Sequence, residues 1–136
     1  MATDTQPGTG GQITGNVLFY SKPEPLTPDH HKTLGVKRMD GPFGFAKAGH
    51  AVPLTVTEFP LAAVSGPIIF VGDDKMPLAV MGLNAGDNMF IQDNGIFESG
   101  VYIPAYIRRY PFVFANDDKA QQMVLCIDRA AEFIVE

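Results

Sequence analysis

The sequence predicts a mainly β fold: an antiparallel sheet, curled or partly closed into a barrel, with one to three short helices. α+β is the alternative. Three observations lead there. The apolar runs are short, about four to eight residues each, as strands require. Eleven prolines and fourteen glycines cut the 136 residues at close intervals, which is the punctuation of turns. No stretch sustains the 3.6-residue apolar repeat of a long amphipathic helix, so a sheet must bury its face on another sheet or on itself.

Along the chain, residues 1–15 hold Gly, Thr, Gln and Pro with one aliphatic side chain, Ile13. They are expected to form a disordered tail outside the fold, leaving residues 16–136 as a single domain. Residues 16–20 (NVLFY) read as a first strand, and KPEPLTP then breaks the chain three times. Thr27 before Pro28 is an N-cap pattern for one or two helical turns carrying residues 30–34. DGPFGF, residues 40–45, reads as a loop with a short strand. Residues 51–59 (AVPLTVTEF) alternate in part, which places Glu58 on the same side as Val52, Leu54 and Val56. Pro60 permits a helical turn to residue 64, and SGP ends it.

IIFVG and PLAVMGL read as strands buried on both faces, joined by the charged turn GDDKM. Asp93-Asn94-Gly95 between NMFIQ and IFE is the strongest hairpin signal, because Asn-Gly accepts the positive φ angles of a tight turn. Pro104 opens a helical turn that runs to residue 110, where Pro111 stops it. PFVFA is a strand, NDDK a turn and residues 122–128 the last full strand. AAEFIVE looks like a further strand cut short.

Ten Lys and Arg against fifteen Asp and Glu give a net charge of -5, which argues against nucleic acid as a partner. The N-terminus lacks both a basic and an apolar region of a secretory signal. The longest apolar stretch, residues 59–71, is too short for a membrane span. The expected location is therefore the cytoplasm, with cell-surface association only by a route the sequence does not display. Cys126 is alone, in MVLCI, and reads as a packed thiol.

No catalytic constellation emerges. Ser21, Ser65 and Ser99 lack an activating motif, GTGG lacks the lysine and preceding strand of a phosphate loop, and His30, His31 and His50 lack metal-ligand spacing. Asp73, Asp74, Asp87 and Asp93 do not form a calcium loop. No cofactor is expected.

The residues that stand out are Arg108 and Arg109, inside VYIPAYIRRYPFVF. Adjacent residues cannot point to one place on a helix or a strand. A guanidinium among aromatics needs a carboxylate or carbonyls, so the expectation is a structural ion pair of Arg108 or Arg109 with Glu58, or with Asp128 instead. The competing reading is a ligand- or partner-binding site of Arg108 and Arg109 lined by Tyr102, Tyr106 and Tyr110, since Arg beside Tyr is common at interfaces.

NVLFYSKPEPLTPDHHKTLGVKR, FGFAKAGHAVPLTVTEFPLAAVSGPIIF, PLAVMGLNAGDNMFI, GVYIPAYIRRYPFVF and LCID, in this order, resemble the bacterial SapC family over roughly residues 16–128. YIPAYIRRYPF with EFP upstream is the most specific part. The family name comes from proteins associated with a paracrystalline surface layer, and the resemblance carries no catalytic residues. It implies a non-enzymatic interaction or assembly protein, linked to the surface layer or envelope, with a protein partner or self-association. The alternative is a small-ligand-binding or enzyme-accessory domain. A peptide-transport permease that shares the name is unrelated. The resemblance also implies a domain truncated at its C-terminus, since relatives continue past the LCID-like strand.

Overall fold

The structure, a computed structural model, describes residues 17–117 and 120–136. The expected tail at residues 1–15 and the second half of the NDDK turn, residues 118–119, lie outside the described residues. Among the described residues, eight strands form three small antiparallel sheets. Sheet one is β1 (Pro23–Pro25), β7 (Gln122–Asp128) and β6 (Phe112–Asp117) in that order. Sheet two pairs β2 (Gly35–Val36) with β8 (Ile134–Val135). Sheet three is β3 (Ala51–Pro53), β5 (Met76–Val80) and β4 (Ile68–Val71). The helices are α1 (Pro28–His31), α2 (Phe59–Ser65) and α3 (Ala105–Arg108), with 3-10 turns at Gly44–Ala46 and Val56–Glu58. The mainly antiparallel fold with a few short helices is as the sequence predicts; the described strands close no barrel.

Residues 17–20 form a turn rather than the expected strand, and the proline-rich PEP is the strand instead. Edge position explains it. Glu24 lies opposite Ile127 and the Leu26 N–H donates to the Leu125 carbonyl. The even positions therefore bond to β7, and Pro23 and Pro25 turn their missing donors outward. α1 starts at Pro28 as expected, but the Thr27 hydroxyl makes no cap and is buried without a partner. His31 folds back in its place, with Nδ1 3.0 Å from the Thr27 amide nitrogen and Nε2 2.8 Å from Glu24 Oε1.

The expected strand over residues 51–59 stops at Pro53. A capping box overrides the alternation: Glu58 Oε2 accepts from the Thr55 N–H at 2.8 Å and the Thr55 hydroxyl at 3.0 Å, which turns the chain into the 3-10 turn and α2. The T-x-x-E spacing was present in the sequence. DGPFGF likewise forms a 3-10 turn instead of a short strand.

Gly95 does adopt positive φ, +80°, in the Asp93-Asn94-Gly95 turn, yet the flanking arms meet only at the single bridge Ile91–Phe97. Packing accounts for the glycine as well as the turn, because a Cβ there would sit 2.6 Å from the Gly41 carbonyl oxygen. AAEFIVE does contribute a strand, the two-residue β8.

Two buried clusters form the core. The larger holds Ala46, Val52, Leu54, Ala62, Ala79, Met81, Ile91, Phe97 and Ile107 beneath sheet three, and the smaller holds Tyr20, Val113 and Cys126 on sheet one. Phe19 packs against both. Aromatic rings continue this seam, with Phe45 stacked on Tyr110 at 3.9 Å and Tyr110 edge-on to Tyr20 and Phe133. The segment 101–111 runs along the seam between the clusters.

Candidate functional site

The segment is fastened at two buried carboxylates. Glu58, placed by its capping box at the start of α2, presents Oε1 to the Tyr102 hydroxyl at 2.9 Å and to the Ala105 N–H at 2.7 Å. Its other oxygen holds Thr55, so all four bonds come from uncharged donors. Burial alone would raise its carboxyl, but the donors from Ala105, Thr55 and Tyr102 outweigh burial and hold it below its ordinary value of 4.5.

At the other end, the fully buried Asp128 closes β7. It accepts from the Ser21 N–H at 2.8 Å, the Lys22 N–H at 2.9 Å, the Ala130 N–H at 3.0 Å and the Tyr110 hydroxyl at 3.2 Å. Tyr102 and Tyr110 thus anchor the two ends of one short segment to carboxylates on opposite sides of the seam. The phenols respond to this packing. Burial pushes Tyr20 up to about 12, only partly offset by the Arg109 guanidinium nearby. Burial and then the Asp128 charge push Tyr110 upward too.

The expected ion pair is not made: among the described residues neither arginine comes within ion-pairing distance of Glu58 or Asp128. The physical reason is that main-chain amides and tyrosine hydroxyls already fill the carboxylates. Such donors stabilise a buried charge without the desolvation of a second ion. Arg108 reaches Glu58 only through a neutral intermediary, its Nη2 donating to the Tyr102 hydroxyl at 3.2 Å while Nε donates to the Ile103 carbonyl at 3.0 Å.

Both guanidinium groups are exposed and lie over aromatic rings. Arg109 sits 4.0 Å from the centre of the Tyr106 ring and 5.8 Å from that of Tyr20, and Arg108 sits 5.9 Å from that of Tyr102. As the helical spacing required, they point to different places. Of the tyrosines named from the sequence, Tyr102 and Tyr106 back the arginines. Tyr110 instead serves Asp128 and the aromatic seam. Tyr20 was missed, because its approach to Arg109 is set by tertiary packing and not by any local pattern.

The arrangement is a ridge at the C-terminal end of α3: two exposed positive charges, each lying over a tyrosine ring. Such groups can accept carboxylates or aromatic rings from outside. Elsewhere, among the described residues, no three His, Cys, Asp or Glu side chains gather as a metal ion would need, and no helix is long and apolar enough to cross a membrane. A cavity of about 10 Å³ beneath α2, lined by Ser65, Phe90 and Tyr102 among others, is of the order of one water molecule.

No curated protein and no solved structure matches this chain. A family model does: SapC matches residues 26–136, which contain the capping box, the arginine ridge and both anchoring carboxylates. The chain therefore belongs to the SapC family.

Proposed function

We propose that this domain is a non-enzymatic interaction and assembly module of the SapC type, docking acidic segments of a partner protein on the α3 ridge. Its setting is the bacterial surface layer or envelope to which the family name refers. One observation carries the reading: Arg108 and Arg109 are exposed, have tyrosine rings behind them, and lie out of ion-pairing reach of every acid among the described residues. Holding a guanidinium against a ring before binding lowers the side-chain entropy lost on binding. Arg and Tyr are also the residue types that dominate binding energy at protein interfaces. In a chain of net charge -5, such a ridge favours a negatively charged segment over a neutral one.

The second reading is a small-anion or ligand site at the same arginines, favoured by the Arg108–Tyr102 hydrogen bond, which fixes one guanidinium as a ligand clamp would. A fluorescently labelled glutamate- and aspartate-rich peptide separates the two. The interaction reading expects binding that weakens with salt and is lost in the Arg108→Ala/Arg109→Ala variant while its melting temperature stays within a few degrees of the wild type. Binding of acetate or phosphate with no response to the peptide would favour the small-ligand reading. A peptide response unchanged by the double substitution would remove the ridge from the account.

A further inference from the structure

Sheet three carries a second surface, independent of the ridge. An antiparallel sheet with one face on a core ordinarily alternates to polar residues on the other. Here Val52 and Ala79 point to the core, yet the opposite face of β4 and β5 holds Ile69, Val71, Met76 and Leu78, with no polar side chain between them. Ile69, Val71 and Met76 are 40%, 37% and 50% exposed, and Phe70, on the inner side of the edge, is 58% exposed. The sequence reads IIFV as a strand buried on both faces. Among the described residues it is the open edge of a three-stranded sheet.

Among the described residues, the backbone of that edge is also unpaired on one side. The Val80 N–H donates to the Pro67 carbonyl, whereas Pro77 accepts from Leu54 and the Met81 N–H donates to His50. Even-numbered residues of β5 therefore face β4, and their partners Ile69 and Val71 bond inward. By alternation the N–H and C=O groups of Ile68 and Phe70 point to the open side.

The geometry points to a second copy of this chain as the occupant, its β4 adding antiparallel to β4 with Ile69 opposite Ile69. In that register Ile68 of each copy exchanges both main-chain bonds with Phe70 of the other, so identical strands satisfy one another about a two-fold axis. Phe70 gains Ile68 of the second copy as a neighbour on the inner side, and the two Ile69 side chains meet on the outer face.

Two observations select a second copy over a foreign strand. The edge presents only main-chain groups and apolar side chains, so it has nothing with which to read a partner's charge; it also lacks the lysine, inward charge or mid-strand proline that blocks edge pairing. The acidic turn Asp73-Asp74, which would repel its own copy, falls at opposite ends of the pair. The paired strands Ile68–Val71 alone span about 13 Å, so the two turns beyond their opposite ends lie farther apart than the Debye length of about 8 Å at physiological salt.

Sedimentation velocity over a concentration series, with Ile69→Lys and Ile69→Cys variants, tests this. The wild type should pass from 14.7 kDa to twice that mass as concentration rises. Ile69→Lys places two lysines opposite each other and should remain monomeric with an unchanged circular dichroism spectrum. Under mild oxidation Ile69→Cys should form a disulfide-linked dimer, whereas Leu83→Cys, exposed elsewhere, should not; the native Cys126 is fully buried. A wild type that is monomeric throughout overturns the inference, as does a dimer that Ile69→Lys leaves intact or Ile69→Cys fails to link. The Arg108→Ala/Arg109→Ala variant should dimerise like the wild type, so failure of the ridge and failure of this edge are separately visible.

Discussion

Glu58 and Asp128 are buried charges held by neutral donors, and the arginines that looked like their partners are not needed to hold them. Glu58→Gln keeps the shape of the side chain but turns an NH2 group toward donors, since Thr55, Tyr102 and Ala105 all donate to this carboxylate. The expected cost is about 3 kcal/mol, the penalty for leaving buried donors facing a donor, read from urea unfolding. Its acid dependence should change as well. The folded-state value is lowered, so the stabilisation is present above the unfolded value of 4.5 and disappears as pH falls through the folded one. Glu58→Gln should therefore unfold with a shallower dependence on pH below about 4.5 than the wild type. By contrast, Arg108→Ala and Arg109→Ala each remove an exposed cation–π contact, Arg108→Ala with two exposed hydrogen bonds as well, and together should cost about 1 kcal/mol.

At the scale of elements, α2 exists because a four-residue signal defeats a longer one. Thr55→Val removes the hydroxyl and one half of the capping box and should destabilise the domain by about 1 kcal/mol, measurable as a lower unfolding midpoint without loss of the sheet signal. The same contest explains what was legible in the sequence. β7, α2, the Pro104 turn and the β4–β5 hairpin were marked by proline, glycine or continuous apolar runs, and they stand close to where those marks put them. β1 and β2 were not legible, because PEP and GV pair only where a distant strand, β7 or β8, offers an edge. For the candidate site, the arginines and Glu58 could be picked out as unusual by their apolar settings. Tyr102 and Tyr106 beside the arginines were legible from local spacing, whereas the partners of Glu58 and the approach of Tyr20 to Arg109 were not, because they are set by tertiary packing.

Across the whole molecule, the seam of aromatic rings and the segment 101–111 join two small cores that neither sheet alone could close. Its weakness should lie at high pH. Tyr20, pushed up to about 12 by burial, is protonated in the folded state where the unfolded phenol, at 10.0, would already ionise. Its contribution is therefore whole below pH 10 and lost as pH rises toward 12. Tyr110 is raised in the same sense. Ultraviolet titration should show a set of phenols that ionises late and together with loss of the near-ultraviolet dichroism of the seam; early ionisation of all four tyrosines in a folded protein would contradict it.

The measurement closest to the centre of this account is a side-by-side thermal melt of Glu58→Gln and Arg108→Ala/Arg109→Ala. With the carboxylates as the fastenings and the guanidinium groups turned outward, Glu58→Gln should melt about 10 °C lower and the double arginine variant within a few degrees of the wild type. A double variant that melts as low as Glu58→Gln would mean that the arginines lock the fold after all, and their assignment to an outside partner would fall.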